Sequence, residues 1–368
     1  MNAIVVGAGI VGAACAEALA LDGWRVRVLE ARRPAHGVTA AGMGHVLVLD
    51  DSEAQFALTR LSRALWDARE WPEVVEREVC GTLWVAADGA ELAHARARAT
   101  AWTARDLACE VLDERALREA EPSLRAGLAG ALLVPGDSVV YPPTATEHLL
   151  ERARVHGAEI ECGAAARRVG DGWVLTEDGR RLETDAVVVA AGLATPTLLD
   201  ECPLGLVVRP KRGHLAITER APGFLRHQLV ELSYVRSAHG GDATSVAFNV
   251  QPRRTGQVLV GSSRELDADA NAVDAELLAR MLARAVEYLP GLAELAIVRA
   301  WTGLRPATDD HLPFVGPVPG APRLWVAAGH EGLGIATSLG SARLVADGLA
   351  GRTPPIDAAP YGLARRGN

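Results

Sequence analysis

The first thirty residues place short apolar runs around a cluster of glycines, a pattern that predicts a strand, a helix and a second strand. Residues 3–6 form an apolar run of strand type, and residues 13–21 have the composition of a helix that ends at Gly23. Residues 24–29 predict the second strand, which ends at Glu30. We expect these elements to open a parallel, nucleotide-binding sheet.

Two later parts of the chain, residues 141–192 and 324–349, also combine apolar strands with helices. Residues 141–144 lead into a helical stretch that runs to His156. Residues 185–192 are almost wholly apolar, as in a strand that is buried on both faces. Residues 324–329 predict another strand, and a glycine-rich turn then leads into helical spacing over residues 335–349. We expect all of these pieces to join the same domain.

The stretches between them alternate apolar and polar residues, as at 245–250 and 257–261, and include an amphipathic helix at 275–288. They predict an antiparallel sheet with helices. The predicted fold class is therefore α/β, with a discontinuous Rossmann-like nucleotide-binding domain and an inserted α+β domain, the cap, built on an antiparallel sheet. We assign residues 1–80, 138–210 and 299–368 to the nucleotide-binding domain and residues 81–137 and 211–298 to the cap.

Composition narrows the classes of partner and site. The formal net charge of −8 argues against binding to nucleic acid. The five cysteines are scattered and never spaced as C-x-x-C, so we expect free thiols in a reducing cytoplasm and no metal site. We expect the glycine-punctuated N-terminus not to be a signal peptide. No other apolar run approaches the roughly 20 residues of a membrane span, which makes a cytoplasmic location the expectation.

The glycines at 7, 9 and 12 have the spacing of the dinucleotide fingerprint. Gly7 permits a tight turn, Gly9 lets backbone N–H groups approach a pyrophosphate, and Gly12 allows close packing of helix on strand. Glu30 is placed to bind ribose hydroxyls, and its charge would repel a 2′-phosphate. A second glycine turn at residues 329–334 could point a helix N-terminus at the pyrimidine edge of a flavin, which favours FAD over NAD.

Further motifs stand in the order of a known family along nearly the whole chain. After the fingerprint and Glu30 these are the segments at residues 39–44, 303–310, 313–316 and 329–330. On these residues the chain resembles the D-amino acid oxidase superfamily of FAD-dependent oxidoreductases. The resemblance is to the branch that contains glycine oxidase, sarcosine oxidase and bacterial D-amino acid dehydrogenases.

The resemblance implies FAD as cofactor, so that the nucleotide-binding domain is expected to be an FAD-binding domain and the cap a substrate domain. It also assigns a set of positions around the cofactor. The implied cofactor-binding residues are Gly7, Ala8, Gly9, Ile10, Val11, Gly12, Glu30, Ala31, Arg32, Thr39, Ala40, Ala41, Gly42, Met43, Val169, Ala191, Gly192, Gly303, Arg305, Gly329, His330, Glu331, Gly332, Leu333, Gly334 and Ile335.

The implied substrate-binding residues are Arg305, Met43, Asn249 and Tyr234. Arg305 would anchor the substrate carboxylate through two parallel hydrogen bonds, or would instead form a structural pair with Asp309 or Asp310. Asn249 stands where glycine oxidase relatives carry a tyrosine, and Tyr234 is its candidate replacement.

The implied catalytic residues are Arg305 and His330, and no general base is assigned. Relatives carry an arginine at the position of Gly332, so the pocket is expected to differ in shape, with Glu331 as a new feature.

The segment at residues 329–340 is most similar to bacterial D-hydroxyproline dehydrogenases and to the glycine-oxidising subunit of hydrogen cyanide synthases. This implies dehydrogenation of a D-amino or cyclic imino acid by hydride transfer from Cα to flavin N5. The specific expectation is cis-4-hydroxy-D-proline, oxidised to 1-pyrroline-4-hydroxy-2-carboxylate.

Three alternatives stay open at this point. They are a glycine or D-amino acid oxidase that uses O2, the amine-oxidising subunit of a multi-component dehydrogenase, and an NAD-linked dehydrogenase. The expected partners are the amino or imino acid, an unidentified electron acceptor, and either further copies of the chain or electron-transfer subunits.

Overall fold

The structure is a computed structural model that describes residues 1–199, 206–233, 244–268 and 272–365. The chain divides into two compact units. The first unit comprises residues 1–75, 141–210 and 305–368, and the second comprises residues 76–140 and 211–304. The assignment of the cofactor to one unit and the substrate to the other stays a prediction.

The strands are numbered in chain order. They are β1 (Asn2–Val6), β2 (Arg25–Glu30), β3 (His45–Val46), β4 (Thr82–Ala86), β5 (Glu110–Asp113), β6 (Gly130–Val134), β7 (Ser138–Val139), β8 (Glu159–Cys162), β9 (Ala166–Gly170), β10 (Trp173–Thr176), β11 (Arg181–Glu183), β12 (Ala186–Val189), β13 (Arg209–Arg220), β14 (Gln228–Glu231), β15 (Thr244–Pro252), β16 (Gln257–Leu266), β17 (Ile297–Ala307), β18 (Phe314–Val318) and β19 (Ala321–Ala328).

The α-helices are numbered in the same way. They are α1 (Ile10–Leu21), α2 (Glu53–Asp67), α3 (Gly89–Thr103), α4 (Glu114–Ala120), α5 (Pro142–Val155), α6 (Thr195–Leu198), α7 (Ala275–Tyr288) and α8 (Gly334–Leu349). Short 3₁₀ turns cover Glu73–Val75, Gly192–Ala194, Pro290–Glu294, Glu331–Leu333 and Ala359–Tyr361.

The first unit is built on a sheet with the strand order β18-β19-β12-β1-β2-β8. Neighbouring strands from β19 to β8 run parallel, and β18 pairs antiparallel with β19. Strand β12 is buried along its whole length, as its continuous apolar sequence predicts. A smaller antiparallel sheet, β11-β10-β9, belongs to the same unit. The predicted parallel nucleotide-type sheet is confirmed.

The second unit is built on a sheet with the order β17-β13-β16-β15-β14-β4-β6-β5. From β13 to β5 neighbouring strands pair antiparallel, except that β14 and β4 run parallel. Phe248 and Val250 of β15 join a hydrophobic core that also contains Met281 and Ala285 of α7. Because strand residues alternate between faces, Asn249 lies on the opposite face of the sheet. The predicted antiparallel sheet is confirmed.

Helix α1 carries a fully buried carboxylate, Glu17. Arg69 Nη1 lies 2.5 Å from Glu17 Oε2, and the guanidinium of Arg152, on α5, donates to the other carboxylate oxygen. Both arginines keep part of their side chains in solvent, so the cost of burial falls mainly on Glu17. The two ion pairs tie α1 to α5 and to the segment that follows α2.

None of the helices in the described ranges is both long and apolar enough to cross a membrane. Within those same ranges, no group of three or more His, Cys, Asp and Glu side chains is placed to hold a metal ion.

Glu17→Ala is expected to lower the free energy of unfolding by about 2–4 kcal/mol, because it leaves two arginines without their buried partner. Urea unfolding followed by circular dichroism measures the change. Glu159→Ala is the matched control, since Glu159 pairs with Arg27 while 72% of its side chain is exposed, and its loss should cost at most about 1 kcal/mol. Equal effects of the two variants would contradict the prediction.

Candidate active site

The predicted nucleotide-binding segments meet at one edge of the parallel sheet. Strands β1, β2, β12 and β19 are neighbours, and their carboxyl ends lie at the same edge because they run parallel. The chain leaves β1 at Gly7, β2 at Glu30, β12 at Ala190 and β19 at Gly329. This edge is where open α/β sheets bind their ligands.

The turn after β1 lies so close to neighbouring backbone that its glycines have no room for side chains. A Cβ atom on Gly7 would lie 2.6 Å from the carbonyl oxygen of Ala190, and Gly7 has a φ of +105°. A Cβ on Gly12 would lie 2.0 Å from the carbonyl oxygen of Gly7. The tight turn and the close approach of helix to strand are therefore both present, as predicted from the spacing.

The N-terminus of α1 begins at an extended glycine without a side-chain cap. Gly9 is the N-cap residue, and a Cβ there would lie 3.2 Å from Thr39 Oγ1. The Thr39 hydroxyl accepts a hydrogen bond of 3.2 Å from the N–H of Ile10, the first residue of the helix. Unoccupied first-turn N–H groups and the helix dipole favour a phosphate group at such an end. The geometry fits the pyrophosphate of FAD.

Glu30 ties the end of β2 to the glycine turn. One carboxylate oxygen accepts from the Ala8 N–H at 2.8 Å, and the other accepts from the Arg32 N–H at 2.8 Å. Each oxygen keeps a further lone pair that can accept a hydrogen bond from a hydroxyl group. The predicted contact of Glu30 with a ribose stays a prediction, and the structure adds a second role in shaping the turn. Beside β12, Gly192 has a φ of +58° and open space where a Cβ would stand.

The segment at residues 39–43 contacts both glycine turns. A Cβ on Gly42 would lie 2.7 Å from Ile335 Cδ1, at the start of α8, while Thr39 contacts the start of α1. Ala40 and Ala41 form successive turns between these two contacts. Three segments that are far apart in the sequence therefore converge within the first unit.

His330 is buried against α8, the helix that follows it in the chain. Its Nε2 lies 2.9 Å from Ser341 Oγ, and only 5% of the residue is exposed. Burial lowers the pKa of His330 to about 3, so the imidazole is neutral at physiological pH. This environment argues against proton transfer by His330 and favours a role in holding the turn onto α8. A contact of its backbone with FAD stays a prediction.

Arg305, near the end of β17, lies beside the second glycine turn. A Cβ on Gly332 would lie 3.7 Å from Arg305 Cδ and 3.8 Å from its Nε. The proposed structural partner Asp310 is engaged elsewhere, since Arg365 Nε lies 2.6 Å and Nη2 3.2 Å from its two oxygens. Asp309 lies 3.9 Å from Arg209. The carboxylate-anchoring role of Arg305 stays a prediction.

Asp310 is held in its charged form by Arg365. Burial alone would raise the pKa of Asp310, but the hydrogen bond from Arg365 lowers it below the usual value. The pair secures the loop that follows β17.

A histidine–glutamate pair beside Arg305 was missed by the sequence reasoning. His311 Nδ1 lies 3.0 Å from Glu331 Oε2, so the pair joins the loop after β17 to the second glycine turn. Both residues have positive φ angles, +59° and +48°, which are uncommon for side chains of this size and often mark functional sites. The sequence marks Glu331 as a difference from relatives, but no sequence pattern indicates that His311 is its partner.

Three further residues predicted to bind the cofactor are buried, whereas Ala31 and Arg32 are exposed. Met43 is buried, and its sulfur lies 3.2 Å from His45 Nε2. Val169 is buried on β9 opposite Val174, and Gly303 is buried on β17. Their contacts with FAD stay predictions.

Of the two substrate-binding residues predicted on the cap, the structure describes only Asn249. Asn249 is 5% exposed, and its Oδ1 has no hydrogen-bond partner among the residues that the structure describes. Tyr234 lies outside the described residues.

Comparison with known proteins assigns the family. The family described as DAO, FAD dependent oxidoreductase, matches residues 2–348. The chain belongs to this family. It is similar to glycine oxidase of Pseudomonas aeruginosa, with 31% identity over 99% of this chain and 98% of the relative. It is also similar to a D-amino acid dehydrogenase of Methylobacterium nodulans, with 30% identity over 68% of this chain and 58% of the relative.

A solved structure extends the likeness to three dimensions. Glycine oxidase from Geobacillus kaustophilus is 26% identical and matches with a TM-score of 0.89, over 100% of this chain and 99% of that chain. The predicted family, the α/β fold and FAD as cofactor are confirmed. The alternative of an NAD-linked dehydrogenase is therefore wrong.

Glu30→Ala is expected to weaken FAD binding by roughly 10- to 100-fold, because it removes two charge-assisted hydrogen bonds that shape the turn. Titration of the apoprotein with FAD, followed by flavin fluorescence, gives the dissociation constant. Glu183→Ala serves as control, since its carboxylate pairs with Arg181 at the surface. A variant that binds FAD like the native protein would show that Glu30 is dispensable.

The neutral, buried His330 predicts an acid-dependent loss of stability. The unfolded chain protonates this histidine near pH 6.5 and the folded chain only near pH 3, so its contribution is complete above pH 6.5 and declines as the pH falls. At pH 5 the loss is on the order of 2 kcal/mol. His330→Gln should remove this part of the pH dependence of urea unfolding. If the free energy of unfolding changed equally with pH in the native protein and in His330→Gln, protonation of His330 would not be the cause of the acid-dependent loss.

Proposed function

We propose that this protein oxidises the Cα–N bond of a D-amino or cyclic imino acid, and that cis-4-hydroxy-D-proline is its substrate. The product is then 1-pyrroline-4-hydroxy-2-carboxylate. The observation that carries the proposal is the position of Arg305 beside Gly332, in the turn that begins α8. The amino acid oxidase and dehydrogenase relatives support the class of substrate.

Arg305 has the chemistry of a carboxylate anchor. A planar guanidinium binds a carboxylate through two parallel hydrogen bonds and so sets the orientation of the rest of the molecule. Gly332 places no side chain against the stem of Arg305. On this chemistry and this position, Arg305 is proposed to hold the substrate carboxylate.

The protein orients the substrate and sets the local charge. When bound, FAD supplies the hydride acceptor for the hydrogen on Cα. The amine reacts in its neutral form, and its proton leaves to water as the C=N bond forms. The start of α8 adds partial positive charge at the turn. His330, neutral and bonded to Ser341, keeps that turn in place.

Glycine is the second candidate substrate. The glycine oxidase relative aligns with nearly the whole length of this chain and of its own, which favours a self-contained oxidase that passes electrons to O2. The alternative of an amine-oxidising subunit with electron-transfer partners remains a distinct proposal. Assay of the purified chain alone, with O2 and then with an artificial acceptor, separates these possibilities.

Arg305→Ala is expected to lower kcat/KM for carboxylate substrates by roughly 100- to 1,000-fold, because the variant cannot pair with the substrate carboxylate. The FAD content of the variant is measured first, so that kinetics are compared between equally loaded proteins. The measurement is anaerobic bleaching of the flavin by cis-4-hydroxy-D-proline, D-proline, glycine and D-alanine in turn.

Arg181→Ala is the control, since Arg181 packs over Trp173 on the small sheet and is half exposed. Native kinetics in Arg305→Ala would refute the anchoring role. A folded, FAD-loaded protein that none of these amino acids bleaches would refute the proposed function.

A further inference from the structure

Two segments of the first unit are joined beside Arg305 by a pair of polar side chains. The loop between β17 and β18 carries His311, and the second glycine turn carries Glu331. His311 Nδ1 lies 3.0 Å from Glu331 Oε2, and the imidazole N–H is the donor because a carboxylate oxygen only accepts. All three residues belong to the first unit, so their arrangement is set within it.

Glu331 begins close to the stem of Arg305. A Cβ on Gly332 would lie 3.7 Å from Arg305 Cδ, and consecutive Cα atoms are about 3.8 Å apart. The Cα of Glu331 is therefore within about 9 Å of Arg305 Cδ. A guanidinium and a carboxylate on stems this close are suited to the two charged groups of an amino acid, which are attached to one carbon atom.

Both segments that carry the pair are held in place. Arg365 Nε lies 2.6 Å from an oxygen of Asp310, the residue before His311, and Arg365 Nη1 donates to the carbonyl oxygen of Pro313 at 3.0 Å. On the other side, the bond of buried His330 to α8 holds the second glycine turn. The pair is thus positioned from both sides, as a binding group requires.

The backbone of both residues is in a conformation that side chains disfavour. Their φ angles are +59° and +48°, in a region that costs free energy and is often occupied at functional sites. The side chain of Glu331 is 16% exposed and that of His311 is 33% exposed. A carboxylate that is shielded but still accessible attracts a cation more strongly than one in open water.

We propose that Glu331, positioned by His311, binds the amino group of the substrate while Arg305 holds its carboxylate. This rests on the proposed function, because the ligand is taken to be the amino or imino acid that is oxidised. A carboxylate accepts hydrogen bonds from an ammonium group and from a neutral amine, and it accepts about four in all. Pairing with His311 therefore does not prevent Glu331 from binding the amino group.

The proposal makes the amino group a requirement for tight binding. The native, FAD-loaded protein should bind D-proline at least about tenfold more tightly than (R)-tetrahydrofuran-2-carboxylate, in which an ether oxygen replaces the amine. Glycine against acetate extends the comparison to open-chain ligands. The concentration dependence of anaerobic flavin reduction gives the apparent Kd of each amino acid, and the shift in flavin absorbance gives the Kd of each analogue.

Glu331→Gln keeps the length of the side chain and removes its charge. The variant should bind D-proline and glycine about tenfold more weakly, whereas its affinity for the two analogues should change by less than about twofold. A distorted turn would instead weaken both kinds of ligand, as should Arg305→Ala. Glu183→Gln is the matched control, because its carboxylate pairs with Arg181 at the surface, and it should bind every ligand like the native protein.

Two substitutions of His311 test its positioning role. Glycine and asparagine both tolerate a positive φ, so neither strains the loop. His311→Gly removes the donor to Glu331 and should weaken amino acid binding by roughly threefold, with the analogues unaffected. His311→Asn keeps a side-chain N–H and should restore most of the loss. His227→Asn is the control, since it alters a histidine that pairs with Glu121.

The outcomes separate this proposal from the one on which it rests. Equal binding of amino acids and analogues by the native protein would overturn the amine contact and leave amino acid oxidation standing. Native affinity for amino acids in Glu331→Gln, or an equal loss for amino acids and analogues, would also overturn it. If no amino acid reduced the FAD-loaded native protein, the proposed function itself would be refuted.

Discussion

The close approach of backbone segments after β1 is the constraint on which the first unit depends. Gly12 lies so near the carbonyl of Gly7, and Gly7 so near that of Ala190, that any side chain would push α1 away from the sheet. The contacts of Ile10 with Thr39 and of Ala8 with Glu30 require α1 to stay where it is. A compact turn with a helix N-terminus at its edge follows from these glycines.

The parallel order of the strands then gathers residues that are distant in the sequence. Because β1, β2, β12 and β19 end at one edge, the segment at residues 39–43 can contact the start of α1 and the start of α8. The same arrangement places Arg305 beside Gly332. Arg305 and the start of α8, which adds partial positive charge, therefore belong to the same part of the first unit.

Buried polar groups differ in how completely they are satisfied. In the first unit Glu17 has two arginines, and His330 is neutral and bonded to Ser341. In the second unit Gln228 and Asn249 each keep a buried oxygen without a partner among the described residues. Groups that are fully satisfied stabilise the fold, because burying an unpaired polar atom has a cost in free energy.

The sequence by itself determined the elements whose causes are local. The amphipathic pattern predicts α7 with its observed bounds, and the glycine spacing with Glu30 predicts the nucleotide turn. Helix α1 starts at Ile10, earlier than the predicted 13, because Gly12 is tolerated in the helix for the sake of close packing. The tertiary structure alone decided the pairs Arg365–Asp310, His311–Glu331 and Gln228–Thr82, whose members are 55, 20 and 146 residues apart. Alternation along a strand tells which residues share a face, but strand order decides which side chains meet across it.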